Sequence, residues 1–177
     1  MLDAKEGARK NEEEGRLDDR DSGGPAGAFA PVPSRGTILA FDFGVKRIGV
    51  AVGELELRQA HPLAVIGAAE AFTRWQAIGA LFSEWRPVRV IVGVPSARDG
   101  TAHEMTRRCQ RFARQLAGRF KLPIETVDER LSSIAAGEML RAAGVAPGKR
   151  RARRDAAAAA IILQTYFDEL ARRRTAF

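Results

Sequence analysis

The 177-residue sequence has a single cysteine, Cys109, and only two histidines, His61 and His103. One cysteine excludes an internal disulfide, and so little Cys and His leaves no cluster of the kind that builds a structural zinc site. Long hydrophobic runs are lacking as well. The longest wholly apolar stretch, Ala156 to Leu163, is far short of the roughly 20 residues that cross a bilayer. The acidic N-terminus has neither the basic start nor the apolar segment of a secretory signal. These lacks predict a soluble protein of the reducing cytoplasm.

Residues 1–35 have little apolar bulk and are rich in Glu, Asp, Arg, Gly and Pro. Such a segment cannot bury enough surface to offset chain entropy, so it is expected to be a disordered extension. The remainder, residues 36–177, has the length of one ordinary domain. Charge divides along the same boundary. The extension carries six basic and eight acidic residues, whereas the remainder carries 23 and 14, a net charge of +9. A folded part that basic attracts polyanions, chiefly nucleic acid.

From Thr37 onward short, dense apolar runs take over. Ile38 to Phe43 and Ile48 to Val52 are β-rich and flank Gly44-Val45-Lys46-Arg47, which suits a hairpin. A third strand is expected over Leu63 to Ile66. Phe72, Trp75, Ile78, Leu81, Phe82 and Trp85 recur at helical spacing, and Val88 to Val94 reads as a buried strand. A helix over Glu104 to Arg119, with Cys109 turned inward, precedes a strand at Ile124 to Val127. Two more helices follow, Ser133 to Ala143 and Asp155 to Arg174. The order βββαβαβαα predicts an α/β fold: a mixed five-stranded sheet, opened by an antiparallel hairpin and flanked by helices.

Ligands of such sheets bind outside the carboxyl ends of the parallel strands, and carboxylates fall there. Asp42 is near the end of the first strand, Asp128 and Glu129 follow the last, and Asp155 opens the final helix. Each has an ordinary structural reading as well, as a turn residue, an exposed loop acid or a helix N-terminal acid. Grouped at one edge, their hard oxygens suit Mg²⁺ or Mn²⁺, which can activate water and stabilise the leaving oxygen of a phosphodiester.

Four stretches in order, FDFGVKRIGVAVGE (Phe41 to Glu54), VIVGVP (Val90 to Pro95) followed by Asp99-Gly100-Thr101, VDERLSS (Val127 to Ser133) and RRDAAAAAIILQTYF (Arg153 to Phe167), together resemble the YqgF family. That family is described both as Holliday junction resolvases and as pre-16S rRNA nucleases. The resemblance covers about Gly36 to Phe167. It implies an RNase H-like fold and metal-dependent phosphodiester hydrolysis, with pre-16S rRNA or branched DNA as substrate and a role at the ribosomal small subunit. It further implies Asp42, Glu129 and Asp155 as catalytic metal ligands, with Asp128 the competitor of Glu129. Adjacent acids on an extended strand point to opposite faces, so only one of the two can serve. Two departures, Ser96-Ala97-Arg98 after Pro95 and Arg154 before the final-helix acid, bear on substrate detail rather than on the metal ligands.

The basic residues are read in the same frame. Lys149, Arg150, Arg151, Arg153 and Arg154 immediately precede Asp155 and are expected to hold a phosphate backbone, as are Lys46 and Arg47 in the hairpin turn and Arg130 beside Glu129. Arg107, Arg111 and Arg114 share a helix face best read as solvated, and His103 as an exposed loop residue. Two other classes compete. A binding protein that assists ribosome assembly would use the basic surfaces without cutting, and an actin-like ATPase would use Asp42-Phe43-Gly44 on phosphate but needs a second domain.

Overall fold

A computed structural model gives the fold, with residues 32–67, 70–95, 104–128 and 150–175 described. Strands β1 (Thr37–Phe43), β2 (Arg47–Glu54) and β3 (Ala60–Gly67) form an antiparallel meander. Helix α1 (Ala71–Trp85) leads to β4 (Arg89–Val94), helix α2 (Glu104–Phe120) to β5 (Ile124–Asp128), and helix α3 spans Arg150–Thr175. The sheet order is β3-β2-β1-β4-β5, with β1, β4 and β5 parallel. This is the mixed five-stranded sheet expected from the sequence. Glu129, Arg130, Lys149 and His103 lie outside the described residues, as do residues 1–31 and the expected helix at Ser133 to Ala143.

The central strands β1, β2 and β4 are buried on both faces. Strand alternation divides the sheet's side chains into two apolar layers. Leu39, Phe41, Val50, Val90 and Val92 pack with Ile78, Phe82, Phe112 and Leu116 of α1 and α2. Ile38, Ala40, Ala51, Ile91 and Val127 pack with Ala159, Leu163, Tyr166 and Phe167 of α3. Burial on both sides explains why β1 and β4 read as continuous apolar runs rather than alternating ones. The α1 stripe is shorter than its spacing predicts, because Phe72 in its first turn is 69% exposed.

A larger correction concerns α3. It starts at Arg150, not at Asp155, so the basic run that reads as a loop forms the helix's opening turns and Asp155 lies in the second turn. Asp155 resembles an N-terminal cap only by residue type. Arg and Ala are strong helix formers, and no Gly or Pro separates Arg150 from Asp155, so the helix propagates backward through the charges.

Opposite the hairpin turn, the far end of the sheet is pinned under α3 by a polar cluster. Arg89, 1% exposed at the start of β4, forms an ion pair with Glu125 of β5, and the Tyr166 hydroxyl donates to the same carboxylate at 3.5 Å. No described helix is long and apolar enough to cross a membrane.

Candidate active site

Asp42 and Gly49 are directly opposite each other in the β1–β2 ladder, one residue in from the hairpin turn. The turn is closed by the Gly44 N–H, which donates to the Arg47 carbonyl at 2.9 Å. Gly49 has no side chain on the face where Ala51 contacts α3, and the helix uses that gap. A Cβ on residue 49 would fall 1.9 Å from the Asp155 carbonyl oxygen. Backbone of α3 therefore lies against backbone of β2, and Asp155 is set down beside Asp42. Farther along, Gly53 faces Leu163 and Phe167, so α3 runs down the sheet away from the turn with its N-terminal end at the Asp42 edge.

The setting of Asp42 shows in its acidity. Burial, with the Asp155 charge as a second cause, raises the Asp42 pKa from 3.8 to about 6. The shift corresponds to roughly 3 kcal/mol disfavouring the charged form. Asp155 is partly neutralised by Arg47, whose Nε–H donates to its Oδ2 at 2.5 Å. Arg47 opens β2 and reaches Asp155 from the turn. Two hard carboxylates, one of them desolvated, form a donor set that fits a divalent cation.

Of the site residues expected from sequence, Asp42, Asp155 and Arg47 come together. Lys46 is exposed in the turn, and Arg154 is exposed on α3 just before Asp155. Arg150, Arg151 and Arg153 lie on the helical backbone of the opening turns of α3. Asp128 ends β5, but ladder register and pleat give it the α1/α2 face. Its neighbour Val127 and the alternate residue Glu125 are on the α3 face with Asp42. Among the described residues no group of three acidic, His or Cys side chains stands ready for a metal.

Comparison with known proteins accords with this geometry. Residues 36–169 match the family described as RuvX, Holliday junction resolvase. The chain belongs to the RuvX family. A Nitrosomonas europaea protein named "Putative pre-16S rRNA nuclease" is 50% identical over 135 residues, covering 76% of this chain and 91% of its own. A protein of that name from Methylobacillus flagellatus is 50% identical over 138 residues, covering 78% and 94%. Among solved structures, Thermus thermophilus RuvC in complex with a Holliday junction substrate is similar with a TM-score of 0.50 at 19% identity, covering 76% of this chain and 95% of that one. The yeast mitochondrial Holliday junction resolvase Ydc2 gives 0.50 at 12% identity, covering 78% and 80%. These two likenesses are of fold. Membership of the RuvX family makes the chain a nuclease, an enzyme of phosphodiester hydrolysis.

All three described helices of this RuvX-family chain begin at the Asp42 edge. Strands β3 and β4 end there and lead into α1 and α2, and α3 starts there against β2. Helix N-termini carry partial positive charge, so the edge as a whole favours an anionic ligand. Sequence reasoning missed Gly49. The signal was present, since a glycine inside an apolar strand marks close approach of another backbone.

Proposed function

We propose that the chain is a divalent-metal-dependent endonuclease that trims the 5′ end of the 16S rRNA precursor in the cytoplasm during small-subunit assembly. The observation that carries the reading is the meeting of Asp42 and Asp155 at the sheet edge, with the Asp42 pKa raised to about 6. Such a pair is costly to keep charged unless a cation is bound between the two groups. The names of the curated relatives, half identical over most of both chains, supply the substrate.

Asp42 and Asp155 would hold Mg²⁺ or Mn²⁺, and the third ligand would come from the acidic pair after β5. The α1/α2 face of Asp128, away from Asp42, favours Glu129 as that ligand. Such an ion, when bound, would supply water activation and charge stabilisation for the phosphodiester oxygens. Asp42 on a strand and Asp155 on a helix are carried by regular elements, the kind of support such a site needs. Arg47, which reaches Asp155 from the hairpin turn, would also be within the site to contact a substrate phosphate. The helix N-termini and the basic opening of α3 (Arg150, Arg151, Arg153 and Arg154, with Lys149 before them) orient the strand without reading its sequence, and Arg130 and Lys46 would add to this.

The test is Mn²⁺-dependent cleavage of a 5′-extended small-subunit rRNA fragment by wild type and Asp42→Asn, with a Holliday junction in parallel. Cleavage of the RNA that the substitution abolishes supports the reading. Cleavage of the junction alone makes the chain a DNA resolvase. RNA binding without cleavage in both proteins makes it an assembly factor.

A further inference from the structure

On the opposite face of the same edge, α1 and α2 part around a groove of about 270 Å³ lined by Phe43, Arg74, Arg108, Arg111, Phe112 and Gln115. Three of these six residues carry positive charge and none carries negative charge. The groove is smaller than the roughly 300–1,000 Å³ of enclosed small-molecule sites, and it lies open at the surface, as a track for a passing chain must. Its floor is aromatic. The Phe43 ring stacks on Phe112 with centroids 4.7 Å apart, and Trp75 stacks on Phe112 from the other helix at 5.8 Å. Arg119 and Arg74 lie over Trp75 at 4.3 and 5.5 Å from the ring centroid, adding cations to the same aromatic cluster.

The location gives the groove its meaning. Phe43 follows Asp42 in β1, so consecutive side chains of one strand face the carboxylate pair on the α3 side and the groove on the α1/α2 side. A strand crossing the sheet edge with one phosphate at Asp42 would pass its neighbouring nucleotides over Phe43 and between the arginines. Arg108 is steadied by an ion pair with Glu104 one turn earlier, and Arg111 and Gln115 continue the same side of α2. The side of α2 at the groove is thus Arg108, Arg111 and the neutral Gln115 rather than the 107/111/114 grouping that the sequence suggests. Cations over an aromatic floor are how single-stranded nucleic acid is held without sequence preference.

We propose that this groove holds the single-stranded RNA flanking the scissile bond, with Arg108 and Arg111 on consecutive phosphates and Phe43 beneath a base. The proposal rests on the nuclease reading above, and the experiment separates the two.

The measurement is anisotropy of labelled single-stranded RNA oligonucleotides, and of DNA of the same sequence, on Arg108→Gln/Arg111→Gln and on wild type. Titrations are made across salt concentrations in Ca²⁺, with cleavage followed separately in Mn²⁺. The expected result is at least 10-fold weaker RNA binding, and a log–log salt dependence shallower by about 1.4, at roughly 0.7 for each phosphate no longer neutralised. The effect should grow with oligonucleotide length, and kcat at saturating RNA should stay within about threefold of wild type. An Arg35→Gln/Arg172→Gln control removes two exposed charges at the opposite end of the sheet and should change neither affinity nor slope by more than about twofold. Arg108→Lys/Arg111→Lys should restore most of the affinity, excluding a folding defect as the cause. Unchanged affinity and salt slope in the Gln variant of an actively cleaving protein overturns the groove and leaves the nuclease reading intact. Equal losses in the control attribute the effect to net charge and also overturn it. Preference for DNA over RNA that depends on the groove overturns its assignment to RNA. A wild type that neither binds nor cuts nucleic acid overturns the reading beneath both.

Discussion

The backbone carbonyl of Asp155 occupies the place that a side chain on Gly49 would fill, with 1.9 Å between that oxygen and an added Cβ. Since Gly49 is the ladder partner of Asp42, one missing side chain brings two carboxylates from residues 113 positions apart to the same spot. Gly49→Ala is expected to push the start of α3 off the sheet. Overpacking of this kind costs about 1–3 kcal/mol. Catalysis should suffer more than stability does, with kcat/KM down by at least 100-fold and apparent Mn²⁺ affinity reduced. Chemical denaturation together with cleavage kinetics checks this, and near-wild-type activity in a folded Gly49→Ala protein would contradict the close approach.

The raised pKa of Asp42 sets a pH dependence of stability. In the folded state Asp42 binds its proton more tightly than in the unfolded chain, so the folded state holds more protons between about pH 3.8 and 6. Stability contributed by this group is therefore present at low pH and lost as pH rises through 6. In EDTA, Asp42→Asn should be more stable than wild type by about 1–3 kcal/mol at pH 8. The difference should shrink toward zero near pH 4, and saturating Mn²⁺ should abolish or reverse it at pH 8. Urea titrations at the two pH values give the comparison.

Arg47 holds the Asp155 carboxylate that the proposed cation would need, so the two would compete. Removing it leaves the carboxylate pair more negative, so Arg47→Ala should tighten Mn²⁺ binding several-fold while weakening RNA binding and lowering kcat/KM by about 10-fold. The ion pair is partly solvated, so unfolding free energy should change by under about 1 kcal/mol. Calorimetric Mn²⁺ titration is the decisive readout. Weaker Mn²⁺ binding in the variant would mean that Arg47 orients Asp155 for the ion rather than standing in for it.

At the other end of the sheet the Arg89–Glu125 pair is structural. Replacing Glu125 with Leu removes the carboxylate that Arg89 faces in a buried setting, which is expected to cost about 3–5 kcal/mol. Arg89→Met/Glu125→Leu should cost clearly less than the single Glu125→Leu change, because the buried charge goes too. A double-mutant cycle by urea denaturation measures the coupling.

Much of this was legible in the sequence, for identifiable reasons. The strands and their order follow from apolar runs long enough to be buried on both faces, and Asp42 stands out because a charge interrupts such a run. The start of α3 was hidden because the arginines that follow Pro147-Gly148 read as a continuation of a loop, so Asp155 reads as the opening acid of the helix. That Asp128 faces away from Asp42 could not be read from the sequence, because it depends on the register of β5, which only pairing with β4 fixes. The arginine groove was invisible because Arg74 and Arg108 belong to different helices. Helical spacing groups Arg111 with Arg107 and Arg114, and only tertiary packing determines which neighbours it faces.

The central claim is that Asp42 and Asp155 together hold a divalent cation, and calorimetric titration of Mn²⁺ into wild type, Asp42→Asn and Asp155→Asn at pH 8 tests it most directly. The account predicts saturable binding to wild type that falls at least 10-fold in each variant, with all three proteins folded. Mn²⁺ binding that survives both substitutions unchanged would contradict it.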